Sequence, residues 1–167
     1  MTDKYNSIRC PYNNIFINIS TVNILLNLND FNRKQSMTKH ITKNQEIILV
    51  IDDNVFHREI AKLLLKKMSY KVITASSGEE GLKYLSANLN KVALILLDIN
   101  MPGMDGLEFL SIIKADSTLS KISIILQSGA TDDEIQRGLA MGANGYVQKP
   151  YTGAELYAAI NKLNIKG

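Results

Sequence analysis

The residues of this sequence that could do chemistry are three aspartates, a serine and a lysine, each next to the end of a short apolar run. Asp52 and Asp53 follow the first run, Asp98 the third, Ser128 the fourth and Lys149 the fifth. Carboxylates gathered at one place raise one another's pKa unless a cation lies between them. Oxygen ligands with room for water suit a hard divalent ion such as Mg²⁺. With a hydroxyl, an ammonium and an aspartate nucleophile, the set predicts a metal-assisted phosphoryl-transfer site.

The elements that must position these residues alternate five times between apolar runs and helical patterns. Short runs rich in β-branched residues are typical of strands buried on both faces. Their alternation with helices predicts an α/β fold with a parallel sheet covered on both sides. Ligands of such sheets bind beyond the carboxyl ends of the strands, so the polar residues should meet at one edge. The predicted strands are Ile47–Ile51, Lys71–Ala75, Val92–Leu97, Ile122–Leu126 and Gly145–Val147.

The helices are predicted to begin at residues able to cap them. Asn54 can cap the first helix, and the pairs Ser77 with Glu80 and Thr152 with Glu155 match the capping-box pattern. The helices are expected from Asn54 to about Met68, from Gly78 through Leu85, over Gly106–Ala115 and Asp132–Met141, and from Thr152 to about Leu163.

Each candidate residue has a plainer interpretation when taken alone. Either of Asp52 and Asp53 could be a helix cap, Ser128 an ordinary loop hydroxyl and Lys149 a solvated charge. His57 is interpreted as an exposed residue of the first helix rather than a catalyst. The prediction of a site therefore rests on all the elements occurring together, each at the matching end of its strand.

The first quarter of the chain has a different composition from the rest. Residues 1–45 contain nine Asn and no Gly or Ala, and six Lys/Arg against two Asp give them a charge of +4; residues 46–167 carry −1. We predict an Asn-rich extension over residues 1–45, disordered or partly ordered, and one domain over 46–167. An alternative start at Met37 would leave part of the extension untranslated. Another alternative is a partner- or membrane-contacting segment built on the apolar residues from Ile15 to Leu26.

The composition also excludes several classes of protein. A single cysteine, Cys10, cannot form an internal disulfide or a multi-cysteine metal site. No run of about 18 apolar residues could span a membrane, and no secretory signal is evident. The basic charge belongs to the extension, so it does not indicate a nucleic-acid partner. A cytoplasmic location is the expectation.

Four motifs make the sequence resemble the receiver domain of two-component response regulators, the chemotaxis-type fold. Asp98 lies 45 residues after Asp53, 30 before Ser128 and 51 before Lys149, spacings that fit this family. The resemblance covers residue 46 to about residue 164 and implies a flavodoxin-like (βα)5 sandwich with strand order 2-1-3-4-5. The matching stretches are Ile48–Asn54, Leu96–Gly106, Gln127–Ala130 and Gly142–Pro150.

The resemblance implies a role for each matching residue. Asp98 would be the phosphoacceptor. Asp52 and Asp53 would hold Mg²⁺ (or Mn²⁺) together with Asp98 and the backbone carbonyl of Asn100. Lys149 would contact the phosphoryl group.

It also implies how the site switches. Ser128 would turn toward the phosphoryl group, and Tyr146 would be the aromatic residue that moves with it. The Lys149–Pro150 bond would be cis. Asn100 and Ala130 would set the lifetime of the phosphate, and Ala130, which has no polar group to position water, predicts slow self-hydrolysis.

By the same resemblance the phosphoryl group would come from a histidine kinase or a phosphotransfer protein. No output domain follows the last helix, which predicts a single-domain regulator that is not itself an enzyme. It would bind a downstream protein through its helix 4–strand 5–helix 5 face, and homodimer formation stays open. One alternative is a pseudo-receiver that binds partners without phosphorylation. A haloacid-dehalogenase-type phosphatase is a weaker one, because its nucleophile would follow the first strand.

Overall fold

The computed structural model describes residues 7–9, 16–18, 47–88, 91–129 and 132–163. From residue 47 onward, strands and helices alternate five times, as the sequence predicts. A short 3₁₀ turn at Leu119–Lys121 is an addition to the predicted elements. The elements are β1 Ile47–Ile51, α1 Val55–Lys67, β2 Lys71–Ala75, α2 Gly78–Asn88, β3 Val92–Asp98, α3 Gly106–Ala115, β4 Ser123–Ser128, α4 Asp132–Ala140, β5 Gly145–Gln148 and α5 Gly153–Lys162.

The five strands form one parallel sheet in the order β2-β1-β3-β4-β5. This is the order that the resemblance implied. Alternate residues of β1 face opposite sides of the sheet, so the strand contributes to two cores. Ile47, Leu49 and Ile51 pack with α2, α3 and α4, whereas Ile48 and Val50 pack with α1 and α5. The helices therefore cover both faces and leave the carboxyl ends of the strands at one edge.

Two strand ends differ from the prediction in a way that matters for the site. The third strand continues through Asp98 and the fourth through Ser128, although both residues were expected in the loops that follow. Asp98 pairs with Gln127 across β3 and β4. Pairing within the sheet holds the backbone of these residues more firmly than a loop would.

The helix caps follow the prediction with one correction. The side chain of Asn54 accepts from the N–H of Phe56, and Thr152 with Glu155 forms a complete capping box. At α2 only half of the predicted box is present, because the Glu80 carboxylate accepts from Ser76 instead of Ser77.

The extension is described at two places only. Ser7–Arg9 and Phe16–Asn18 are short strands that pair antiparallel. Cys10, Met37 and most of the apolar segment up to Leu26 lie outside the described residues. Within the part of the chain that the structure describes, no helix has the length and apolar character to cross a membrane.

Gly106 brings the start of α3 into close contact with the main chain at the end of the strand that carries Asp98. Its N–H donates to the carbonyl of Ile99 at 2.8 Å. A Cβ atom at this position would overlap the main-chain carbonyl oxygen of Asp98 and the Cα of Ile99. Backbone atoms cannot move aside as the end of a flexible side chain can, so only glycine fits here.

We predict that Gly106→Ala lowers the free energy of unfolding by about 1–3 kcal/mol, the usual cost of an overpacked core. Urea unfolding followed by circular dichroism measures the change. Gly145→Ala is the matched control, because no atom lies within 4 Å of a Cβ built there. It should stay within about 0.5 kcal/mol of the parent. Equal stability of the two variants would contradict the assignment of Gly106 as a close-approach position.

Candidate functional site

Asp52 and Asp98 meet at the carboxyl edge because of the register between β1 and β3. Ile51 pairs with Leu97, so the residue that follows each of them comes to the same level of the sheet. Both carboxylates are buried: Asp52 is 0% exposed and Asp98 is 6% exposed. Asp53 is exposed instead. The predicted group of three carboxylates is thus a buried pair with a third carboxylate at the rim.

The ammonium of Lys149 lies between the two buried carboxylates. Its Nζ is 2.6 Å from Asp52 Oδ2 and 2.9 Å from Asp98 Oδ2. Lys149 is carried there by the loop after β5, where its N–H donates to the Ser128 carbonyl at 2.9 Å and the bond to Pro150 is cis. Two buried negative charges thus share the positive charge of a largely enclosed ammonium, 13% exposed, which is the cation that their proximity requires.

The same surroundings move the pKa values of the two carboxyl groups in opposite directions. Burial raises the pKa of Asp98 above its ordinary value; Lys149 opposes the rise and the charge of Asp52 adds to it. Burial also acts to raise the pKa of Asp52. There, hydrogen bonds from His57, Lys149 and the N–H of Asn54 outweigh it, and the pKa is lowered. Asp52 is therefore the firmly ionised member of the pair.

The loop that carries Asp52 is held by hydrogen bonds from α1 and from its N-cap residue, Asn54. The N–H of Asn54 donates to Asp52 Oδ1 at 2.9 Å. The guanidinium of Arg58 donates to the carbonyl oxygens of Asp52 at 2.6 Å and of Asp53 at 2.9 Å. With its main chain and side chain both bound, Asp52 has little freedom to turn.

His57, interpreted from the sequence as an exposed residue of the first helix rather than a catalyst, also contacts the site. Its Nδ1 is 3.5 Å from Asp52 Oδ1 and 3.3 Å from Lys149 Nζ. The side chain is partly exposed, as expected, and it lies on the first turn of α1, which Asn54 caps. The sequence holds no signal for this contact, because the contact depends on where α1 docks against the sheet and not on the helical pattern around the histidine.

Gln127 and Tyr151 are two further site residues that sequence reasoning did not identify. The amide nitrogen of Gln127 donates to Asp52 Oδ2 at 3.2 Å and to the Ile51 carbonyl at 3.5 Å. The Tyr151 hydroxyl donates to Gln127 Oε1 at 2.6 Å. A carboxylate can only accept, so the NH₂ group must face Asp52 and the oxygen must face Tyr151. Burial, with the charges of Asp52 and Asp98, raises the pKa of Tyr151 well above its ordinary value.

A signal for Gln127 does exist in the sequence. It is a polar residue that continues the apolar run of β4, in a sheet whose central strands are buried on both faces. A buried amide must find hydrogen-bond partners. That requirement predicts a polar neighbour, although only the folded chain shows that the neighbours are Asp52 and Tyr151.

The other predicted site residues occupy different surroundings. Ser128 is buried at the end of β4, next to Gln127, and Tyr146 on β5 is 47% exposed. Asn100 is exposed in the loop after β3. Ala130 lies outside the described residues.

The cluster offers donors suited to a divalent cation. One ligand atom from each of Asp52, His57 and Asp98 lies within 4.8 Å of the other two. Two buried carboxylates at an open edge fit the way in which Mg²⁺ is usually held. Exposed Asp53 and Asn100 follow the same two strands and could complete the set; in the structure neither belongs to the buried cluster.

Comparison with known protein families gives one match over most of the chain. Residues 48–161 match the family model described as the response regulator receiver domain. The chain is 38% identical to the two-component response regulator ARR17 of Arabidopsis thaliana over 114 residues, which cover 62% of this chain and 74% of that protein. It is 30% identical to the two-component response regulator ORR3 of Oryza sativa subsp. indica over 130 residues, covering 77% and 98%.

Solved structures show the same similarity. The chemotaxis protein CheY4 of Vibrio cholerae superposes with a TM-score of 0.65 at 28% identity, covering 71% of this chain and 98% of that one. A response regulator receiver domain protein from Clostridium thermocellum superposes with a TM-score of 0.66 at 33% identity, covering 71% of this chain and 94% of that one. The CheX–CheY–BeF₃–Mg²⁺ complex from Borrelia burgdorferi gives 0.65 at 26%, covering 69% and 86%.

Lys149→Met should lower the free energy of unfolding at pH 7 by roughly 3 kcal/mol, because it leaves two buried carboxylates without their cation. Without the ammonium, the folded-state pKa of the pair lies above the unfolded value. The folded state then binds more protons, so its stability falls as pH rises. Urea unfolding should show a larger deficit at pH 7 than at pH 5.

Lys121→Met is the control for this experiment, since Lys121 is exposed in the 3₁₀ turn. It should match the parent at both pH values. A Lys149→Met deficit that is the same at pH 5 and pH 7 would contradict the shared-cation assignment.

The Gln127–Tyr151 pair is tested by a double-mutant cycle. Gln127→Leu leaves the Tyr151 hydroxyl without its acceptor and the Asp52 carboxylate without one donor, and Tyr151→Phe leaves Gln127 Oε1 without its donor. Each variant should cost about 1–3 kcal/mol. The double variant removes both members of the pair. Its loss of unfolding free energy should therefore be smaller than the sum of the two single losses by about 1 kcal/mol. Urea unfolding gives all four values, and strict additivity would argue against the hydrogen bond.

Proposed function

Because this chain belongs to the response regulator receiver family, we propose that it accepts a phosphoryl group on Asp98 within two-component signalling and thereby changes its binding to a partner protein. The donor would be a histidine kinase or a phosphotransfer protein. The observation that carries the proposal is the buried Asp98 carboxylate, paired with Asp52 through the ammonium of Lys149.

Each buried group has a task in this reaction. Asp98 must be ionised to attack phosphorus, and Lys149 opposes the rise in its pKa that burial causes. One Asp98 oxygen forms a bond to phosphorus while the bond to the donor's imidazole nitrogen breaks, and the imidazole leaves with the electron pair. Lys149 then turns to the phosphoryl oxygens, for which its ammonium is a point charge. Asp52, with its lowered pKa, keeps its charge throughout.

A divalent ion would add to this chemistry. Mg²⁺ (or Mn²⁺), when bound by Asp52, Asp53, Asp98 and the carbonyl of Asn100, supplies positive charge to the phosphoryl oxygens. The two buried carboxylates fit this role on geometry, and exposed Asp53 and Asn100 are within the same two loops.

The approach to Asp98 on the α1 side suits a protein donor. A cavity of about 250 Å³ lies beside Lys149, lined by apolar Phe56, Ile60 and Pro150 together with His57. Apolar walls with polar groups at one end fit a planar side chain such as imidazole. We place the donor's histidine at this cavity during transfer.

The signal would leave on another side of the domain. Phosphorylation adds about −1.5 to −2 charges, which draws Lys149 and Ser128 toward Asp98. Ser128 ends β4, whose neighbour β5 carries exposed Tyr146. A shift of Ser128 would allow Tyr146 to move inward and alter the face formed by α4, β5 and α5. Couplings of about 1–3 kcal/mol are typical of such switches.

On this proposal the chain is a phosphoacceptor and not a turnover enzyme. Ala130 has no polar group to position water, which favours slow self-hydrolysis. We place the reaction in the cytoplasm, where the donor domains would meet it. A homodimer formed through the face of α4, β5 and α5 is compatible with this scheme.

Incubation with Mg²⁺ and acetyl phosphate tests the proposal. The parent chain should gain one phosphoryl group, seen as a mobility shift on a phosphate-affinity gel, and Asp98→Ala should gain none. Asp133→Ala, at an exposed aspartate of α4, is the matched control and should be modified like the parent. No modification of the folded parent would favour a pseudo-receiver. Continuous release of phosphate from phosphoesters would favour a hydrolase.

A further inference from the structure

We propose that His57 is a metal ligand, and that with Asp52 and Asp98 it forms a binding site for a borderline divalent ion of the zinc class. The inference rests on the proposed function only in taking Asp52 and Asp98 as the metal-facing carboxylates. Mg²⁺ would use the oxygen donors alone, whereas the nitrogen of His57 would favour ions that bind imidazole.

The first support is the geometry of the donor atoms. Those of Asp52, His57 and Asp98 lie within 4.8 Å of one another. Two ligands that share a zinc ion at about 2.0–2.2 Å each can be at most roughly 4.4 Å apart. A small rotation of His57, whose side chain is 41% exposed, would bring its ring nitrogen closer to the two carboxylates.

The second support is the position of one ring nitrogen. His57 Nδ1 lies 3.5 Å from Asp52 Oδ1 and 3.3 Å from Lys149 Nζ, so this nitrogen is on the side of the ring that faces the carboxylates. Imidazole, bound through Nδ1 or Nε2, is the commonest metal ligand among side chains.

The third support is the cation already present among these three side chains. Lys149 Nζ lies 2.6 Å from Asp52, 2.9 Å from Asp98 and 3.3 Å from His57. The three residues together thus surround a positive charge in the structure itself. An incoming ion must displace the ammonium from this position. That competition weakens the binding of every divalent ion, so the ratio of two affinities is more informative than either affinity alone.

The donor set determines which ions the histidine favours. Carboxylates with water suit Mg²⁺, whereas imidazole suits zinc, nickel and copper. Adding one nitrogen to two carboxylates should therefore raise the affinity for Zn²⁺ and leave that for Mg²⁺ nearly unchanged. The ligand class that His57 selects is a divalent ion that binds imidazole.

The composition of the chain permits a clean experiment. The sequence has two histidines and one cysteine. In the full-length chain carrying Cys10→Ser and His40→Gln, His57 is the last side chain with a strong preference for Zn²⁺. Calorimetric titrations with Zn²⁺ and with Mg²⁺, both without a phosphodonor, then compare this background with the same chain carrying His57→Gln.

We expect His57→Gln to weaken Zn²⁺ binding by at least about tenfold, since a second-sphere change alone can cost that much, and to leave Mg²⁺ binding within about twofold. Asp98→Asn removes a donor common to both ions and should weaken both. The ring ¹⁵N resonance of His57 Nδ1 should shift on addition of Zn²⁺ and stay in place with Mg²⁺. Thermal unfolding confirms that each variant is folded.

An unchanged ratio of Zn²⁺ to Mg²⁺ affinity in folded His57→Gln would overturn the inference, as would a Nδ1 resonance indifferent to Zn²⁺. Neither measurement involves phosphorylation. If His57→Gln lowers the ratio of Zn²⁺ to Mg²⁺ affinity but acetyl phosphate does not modify the parent chain, the metal assignment stands and the phosphoacceptor role is rejected. If acetyl phosphate modifies the parent chain but His57→Gln leaves the affinity ratio unchanged, the phosphoacceptor role stands and the metal assignment is rejected.

Discussion

One ammonium between two buried carboxylates is the interaction on which the rest of this site depends. Asp52 and Asp98 come together because β1 and β3 are neighbours in register, and neither carboxylate has enough solvent to be stable as an isolated anion. Lys149 provides the compensating charge from the loop after β5, the outermost strand on one side of the sheet. The sheet order, with β3 at its centre, brings these three strand ends together at one edge.

The surrounding hydrogen bonds give the two carboxylates different characters. Asp52 receives donors from Asn54, Gln127 and Lys149, and its main chain is held by Arg58. Its pKa is lowered, whereas burial raises that of Asp98. Such a division suits a reaction in which one carboxylate must remain a fixed charge and the other must become a nucleophile. The fixed member is also the one that the Gln127–Tyr151 pair supports from the buried side.

That pair also connects parts of the fold that a switch would have to move together. Gln127 precedes Ser128 on β4, and Tyr151 follows Lys149 and Pro150 in the loop after β5. Their hydrogen bond therefore couples the two segments that carry the hydroxyl and the ammonium of the site. Motion of either segment would disturb the orientation of Asp52. A buried polar contact of this kind favours a small number of discrete arrangements over gradual deformation.

Local patterns predict the alternation of strands and helices, the buried strands and the residues at their ends, because hydrophobic period and capping residues are local properties. The same pattern predicted that Asp52, Asp98 and Lys149 would meet, since polar residues at the ends of apolar runs share one edge of a parallel sheet. The role assigned to Ser128 stays a prediction. Such patterns do not show that Asp53 is exposed, that His57 reaches the carboxylates, or that Gln127 forms hydrogen bonds with Asp52 and Tyr151; these contacts come from the folded chain. The reason is physical: a local pattern states which face a residue occupies, whereas its contact partners depend on strand register and helix docking between residues up to 97 positions apart.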